Sequence, residues 1–207
     1  MNKLFAVYLG GRAENCNTEL HDVVFVIGER IEATYEQLME KWFGTPVGLH
    51  LDSWIELSVV DGYKITVGDA TDDPDDEDTD DTQALAATVA PDSVAGAKLF
   101  FINLGAYMAG QFGELHANIF VVSNSAQAAK TRAKALLHKT LPAPVHTDDL
   151  YDVDDCVQLN VVGAHRILLE KTTSKPAQRP VNGYHLIPTA NVRDFMARRT
   201  ADESARA

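Results

Sequence analysis

Apolar residues fill two nearly unbroken runs, Leu4 to Leu9 and Val23 to Ile27. Their length and their Val, Ile and Phe content predict strands over residues 3–9 and 21–27. The loop between them contains glycine, which makes a hairpin the economical connection. The period then changes. Ile31, Tyr35, Leu38 and Trp42 fall at helical spacing with Gly44 just beyond, which predicts an amphipathic helix with a glycine stop. Residues 51–59 and 62–67 return to strand character, so the order is β-β-α-β-β. From Lys98 the pattern begins again. Ser125 is a candidate N-cap there, Ala126, Ala129, Ala133 and Leu136 form the apolar stripe, and His138 and Lys139 suit a helix C-terminus. Strands are predicted over 150–161 and 164–170.

The two stretches align without a gap from Lys3 to Val26 against Lys98 to Val121. Lys3-Leu4-Phe5 meets Lys98-Leu99-Phe100, Leu9-Gly10 meets Leu104-Gly105, and Glu19-Leu20-His21 meets Glu114-Leu115-His116. One residue of slippage sets His50-x-Asp52 against His146-x-Asp148. A few more set Val59-Val60 against Val161-Val162. The expected fold class is therefore α+β, a tandem duplication of a β-β-α-β-β unit. One helix covers only one face of a four-stranded sheet, so the two copies should pack as an internal pseudo-dimer about a pseudo-two-fold axis. The expected organisation is repeat 1 over 1–68, an acidic disordered linker over 69–97, repeat 2 over 98–170 and a basic, partly ordered tail over 171–207. A turn at Asn182-Gly183 and a short helix near Val192 to Arg199 are expected in that tail.

Charge narrows the class of partner. The 207 residues carry a formal charge of -12, which disfavours nucleic acid and anionic membrane surfaces. Nine of the 30 acidic residues lie between Asp69 and Asp81, where there is no Lys or Arg, so the remainder is close to neutral. In that stretch Asp76, Asp78 and Asp80 alternate, but Asp81 and Ala87 stand where a calcium loop of the EF-hand type needs Gly and Glu. Cys16 and Cys156 do not occupy equivalent places, which reads as two reduced thiols. The opening Lys3 to Gly10 resembles a short leader. Its recurrence at Lys98 to Gly105 makes it structural, and a cytoplasmic location is expected.

Candidate chemistry lies in two short motifs present in both copies, Glu-x-His and His-x-Asp. Copy one has Glu19, His21, His50 and Asp52, and copy two has Glu114, His116, His146 and Asp148. A spacing of two on a strand puts both side chains on one face, about 7 Å apart. Convergence would give two imidazoles and two carboxylates, a donor set for Zn, Mn or Fe, or an acid and base for hydrolysis. Asp149, Asp152, Asp154 and Asp155 in copy two suit a harder cation. Histidine paired with carboxylate also fixes loops by hydrogen bonding alone, which is the commoner use. Gly10-Gly11-Arg12 allows either an anion-binding nest or a strand exit of positive φ, the second being favoured. Trp42 and Trp54 read as core residues.

The segments Leu-Phe-x-Val-Tyr-Leu-Gly-Gly at 4–11, Glu-Leu-His-Asp-Val-Val-Phe-Val-Ile-Gly at 19–28, Leu-His-Leu-Asp-Ser-Trp at 49–54 and Asp-Gly-Tyr at 61–63 carry a resemblance. They resemble a bacterial family, domain of unknown function 1543, whose members carry one or two copies. The resemblance spans residues 3–67 and 98–170 and implies no activity, cofactor or catalytic residue. The expected function is a cytoplasmic, non-catalytic binding or interaction protein with a protein or small-molecule partner, and assembly with further copies is left open. The alternative is a divalent-metal or small-ligand site at the duplicated motifs. No cofactor is required by the sequence.

Overall fold

The computed structural model describes residues 1–69, 96–107, 110–140, 152–175 and 179–206. Residues 70–95 of the expected linker, and the candidates His146, Asp148 and Asp149, lie outside the described residues. The chain runs β1 (Lys3–Arg12), β2 (Leu20–Gly28), a 3-10 turn (Ile31–Thr34), α1 (Tyr35–Lys41), β3 (Thr45–Glu56), β4 (Val59–Val60) and β5 (Tyr63–Asp69). It continues with β6 (Lys98–Ala106), β7 (Leu115–Ser123), α2 (Ala126–Thr140), β8 (Asp152–Gln158), β9 (Val161–Val162), β10 (His165–Lys171), β11 (Val181–Leu186) and α3 (Thr189–Arg206). These elements make an α+β fold of three antiparallel sheets, ordered β11-β3-β1-β2, β4-β5-β10-β9 and β7-β6-β8.

The continuous apolar runs are explained by burial on both faces. On β1, Phe5, Val7 and Leu9 turn toward α1 and meet Val24, Leu38, Met39 and Trp42, while Leu4 and Ala6 turn the other way. On β6, Phe100, Ile102 and Leu104 pack beneath Ala129, Ala133 and Leu137 of α2. Leu99 and Phe101 face inward and join Leu4, Ile27, Leu57, Ile65 and Ile167 in a middle core. Each outer sheet is therefore sandwiched between a helix and that core. At the end of α1 the Trp42 N–H still bonds the Leu38 carbonyl and Trp42 itself is extended, so the helix stops before Gly44 and without a left-handed cap.

The middle sheet corrects one expectation. All four strands of a unit were expected in one sheet, but the hairpin β4–β5 leaves the first sheet and pairs with β10 and β9. The pairing of β5 with β10 sets Thr66 opposite Leu168, with Ile65 opposite Leu169 and Val67 opposite Ile167 on either side. Leaving the parent sheet lets Leu57, Tyr63 and Ile65 bury in the middle core. The hairpin turns on Asp61 (φ 52°) and Gly62 (φ 77°), two left-handed residues that match the twist of a tight hairpin. Asp61 then reaches across the molecule. Its Oδ2 accepts the Val122 N–H at 2.8 Å and its Oδ1 lies 3.0 Å from Arg132 Nη2, while Arg132 Nη1 donates to the Val122 carbonyl at 3.0 Å.

The C-terminal segment carries a strand and a helix. Strand β11 extends the first sheet beyond β3. Helix α3, longer than the short helix expected, follows Ile187 and brings Val192 and Phe195 into the first core. Arg198 pairs with Glu36 at 2.9 Å. The expected turn at Asn182-Gly183 is instead a register shift within β11, between Asn182 and His185. Both cysteines are free. No helix among the described residues is long and apolar enough to cross a membrane.

Candidate functional site

The structure brings Glu19, His21, His50 and Asp52 together. Strand pairing explains how. Gly10 on β1 lies between His21 on β2 and His50 on β3 in register. Two residues along β3 the register shifts, with Leu51 opposite Leu9 and Ser53 opposite Tyr8, so Asp52 is the extra residue of a bulge. Bulges re-aim side chains and cluster at functional sites. Here the bulge leaves Asp52 over Gly10 beside His50, for a Cβ at Gly10 would lie 2.5 Å from both Asp52 Oδ2 and His50 Nε2.

Each carboxylate offers one oxygen to each imidazole. His50 Nε2 lies 3.2 Å from Glu19 Oε1 and 3.4 Å from Asp52 Oδ1. His21 Nε2 lies 3.3 Å from Asp52 Oδ2 and 3.8 Å from Glu19 Oε2. His50 is fully buried, and its Nδ1 lies 2.9 Å from the Gly48 carbonyl oxygen. A carbonyl only accepts, so Nδ1 carries a proton. In the neutral ring Nε2 is then a bare lone pair facing two carboxylates. Neither His50 Nε2 nor Asp52 Oδ2 makes a hydrogen bond, although both atoms are buried. Tyr184 of β11 lies against the His50 ring at 4.0 Å between centroids, and Tyr8 stacks on His21 at 5.3 Å. Burial, and then the nearby Asp52 charge, push the Tyr8 phenol above its ordinary pKa, so it stays protonated. Tyr8 and Ser53 also line a groove of about 350 Å³ between the first and third sheets, with Phe101, Asn118 and Phe120 on its far side.

The third sheet repeats part of this arrangement. His116 Nε2 lies 3.3 Å from Asp154 Oδ2 and 3.6 Å from Glu114 Oε2. Register corrects the sequence alignment of this half. Gly105 pairs with Asp152 as Gly10 pairs with His50, and the register shift between Asn103 and Leu104 makes Asp154 the bulged residue, as Asp52 is in β3. The places of His50 and Asp52 thus fall to Asp152 and Asp154, six residues beyond His146 and Asp148.

The family described as Domain of Unknown Function (DUF1543) matches residues 16–67. The crystal structure of a protein Il1583 from Idiomarina loihiensis is similar, at 31% identity and a TM-score of 0.62, over 91% of this chain and 99% of that one. The chain belongs to the DUF1543 family. No curated protein matches it. The DUF1543 match contains Glu19, His21, His50 and Asp52. The second stretch, residues 98–170, lies outside it.

Sequence reasoning missed the glycines, the bulge and the two tyrosines. Gly10 and Gly11 do not take positive φ, so neither the nest nor the strand-exit reading accounts for them. Gly10 is small because side chains cross over it. A signal for Asp154 was present: Val161-Val162 already aligned with Val59-Val60 at an offset of 102, and carrying that offset backward reaches Asp154 from Asp52.

Proposed function

We propose that this protein is a binding protein, built as a duplicated unit folded into an internal pseudo-dimer, whose first repeat holds one divalent transition-metal ion on Glu19, His21, His50 and Asp52. The observation that carries the reading is His50: a buried Nε2 with its other nitrogen committed to the Gly48 carbonyl, and two carboxylate oxygens at 3.2 and 3.4 Å. Metal-bound histidines characteristically donate their second N–H to a backbone carbonyl in this way. The spacing supports it. Each carboxylate spans the two imidazoles, one oxygen toward each, and three of the four N···O separations fall between 3.2 and 3.4 Å. Hydrogen bonds of the N–H···O kind centre near 2.9–3.0 Å. Two imidazoles with two carboxylates favour zinc over magnesium or calcium.

Four protein donors close a tetrahedral site, whereas catalytic zinc keeps a position open. The reading is therefore retention of an ion. The duplication is supported by the matched glycines and bulges and by the symmetric pairing of β5 with β10. Calorimetric titration of tag-free protein with zinc should give a tight site that weakens about 100-fold or more in His50→Ala and Asp52→Asn, because even outer-shell losses cost about 10–100-fold. Zinc affinity unchanged in His50→Ala would overturn the proposal.

A further inference from the structure

The third sheet presents a different donor set. Glu114 precedes β7, His116 is its second residue, and Asp154 occupies the bulge of β8. One ligand atom from each lies within 4.8 Å of the other two. Asp154 Oδ2 and Glu114 Oε1 both crowd the place a Cβ on Gly105 would take. Two like charges converging over one backbone position repel unless a cation lies between them. Asn103 stands two residues from Gly105 on the same strand face, opposite Asp155 and next to the bulge, and its amide oxygen is buried without a hydrogen-bond partner. The register place of His50 belongs here to Asp152, so the second imidazole is absent.

We infer that Glu114, His116 and Asp154 form a second cation site that takes a hard divalent ion of the manganese class. One imidazole among oxygen donors is a manganese-type set, and zinc sites built on two or more nitrogens or sulfurs differ from it. All three side chains are partly exposed, at 32–44%, so the ion binds more weakly and exchanges faster than at a buried site. This inference stands on the third sheet alone and does not need the zinc reading.

The test is a manganese titration of the full chain, followed by loss of the free-ion electron paramagnetic resonance signal. Wild type and His50→Ala should bind about one ion with similar affinity. Asp154→Asn and Glu114→Gln should each weaken binding about tenfold or more, which is at least the cost of an outer-shell loss. Thermal melts identify any variant that fails to fold, and the other then decides. Binding that survives both variants, disappears in His50→Ala, or is absent from wild type below about 1 mM manganese, the weak end of oxygen-donor sites, would overturn the inference. A zinc titration of the folded Asp154→Asn chain reads the first site separately.

Discussion

Replacing Asp61 tests how the halves of the molecule are joined. This carboxylate does three things at once: it accepts the N–H of buried Val122, faces Arg132 at 3.0 Å, and holds a left-handed turn at φ 52°. Ala at this position leaves the Val122 N–H unsatisfied, which costs about 1–3 kcal/mol. The ion pair is partly exposed on the Arg132 side and contributes about 0–1 kcal/mol. Placing Ala in the left-handed region costs a further ~1–2 kcal/mol. Asp61→Ala should therefore destabilise by about 2–6 kcal/mol, a large part of the ~5–15 kcal/mol typical of a domain. Asp61→Gly removes the backbone term and should recover about 1 kcal/mol of that loss. Asp61→Asn keeps both the turn and an oxygen for Val122, and should cost about 1 kcal/mol or less. Urea unfolding followed by tryptophan fluorescence and by circular dichroism gives these values. An Asp61→Ala chain within about 1 kcal/mol of wild type would show that the clasp contributes nothing and that the middle core alone joins the sheets.

Three further outcomes are expected. Gly10→Ala sets a methyl group among Asp52 Oδ2 and His50 Nε2, and should cost about 1–3 kcal/mol of overpacking together with zinc affinity; calorimetry showing unchanged zinc binding would sink the close-approach explanation of this glycine. Burial, opposed by the Val23 N–H bond and reinforced by Asp155, raises the Asp22 carboxyl above its ordinary value, so its ionised form destabilises the fold at neutral pH and the penalty is lost as pH falls through the raised pKa. Asp22→Asn, which keeps an oxygen for Val23, should raise stability more at pH 7 than at pH 4 in urea unfolding, and an equal gain at both would contradict this. Ending the chain at Pro180 removes Ile187, Val192 and Phe195 from the first core, each contributing roughly 1.5–3 kcal/mol of burial, so the melting temperature should fall by more than about 10 °C; a melt within a few degrees of wild type would make β11 and α3 dispensable.

The sequence was most legible where burial writes a period. Leu4 to Leu9 and Val23 to Ile27 read as strands because both their faces are covered, and the helix stripe at Leu38 and Trp42 is the face that packs on them. Topology was less legible. A hairpin of apolar residues such as Val59-Val60 and Tyr63 to Val67 satisfies the same pattern in its parent sheet or in a shared one, and only the burial available to Tyr63 and Ile65 between the sheets decides. Of the candidate site, the four residues of the first half were readable as pairs because spacing on a strand fixes a face. What joins the pairs is the β1 register, which no local pattern carries. The bulged Asp52 and Asp154 also defeat simple alternation, since an inserted residue shifts every later side chain by one place.

The proposed ion lies between Glu19, His21, His50 and Asp52. Crystals of the protein grown with zinc and measured at the zinc absorption edge locate it directly. The expected result is an anomalous peak about 2.0 Å from Nε2 of His21 and of His50, with one oxygen each from Glu19 and Asp52 completing a tetrahedron. His50 should keep its Nδ1 on the Gly48 carbonyl. A map whose peaks lie only elsewhere, or in which His50 Nε2 donates to a carboxylate with no metal beside it, would rule out the ion and make the cluster a hydrogen-bonded strut.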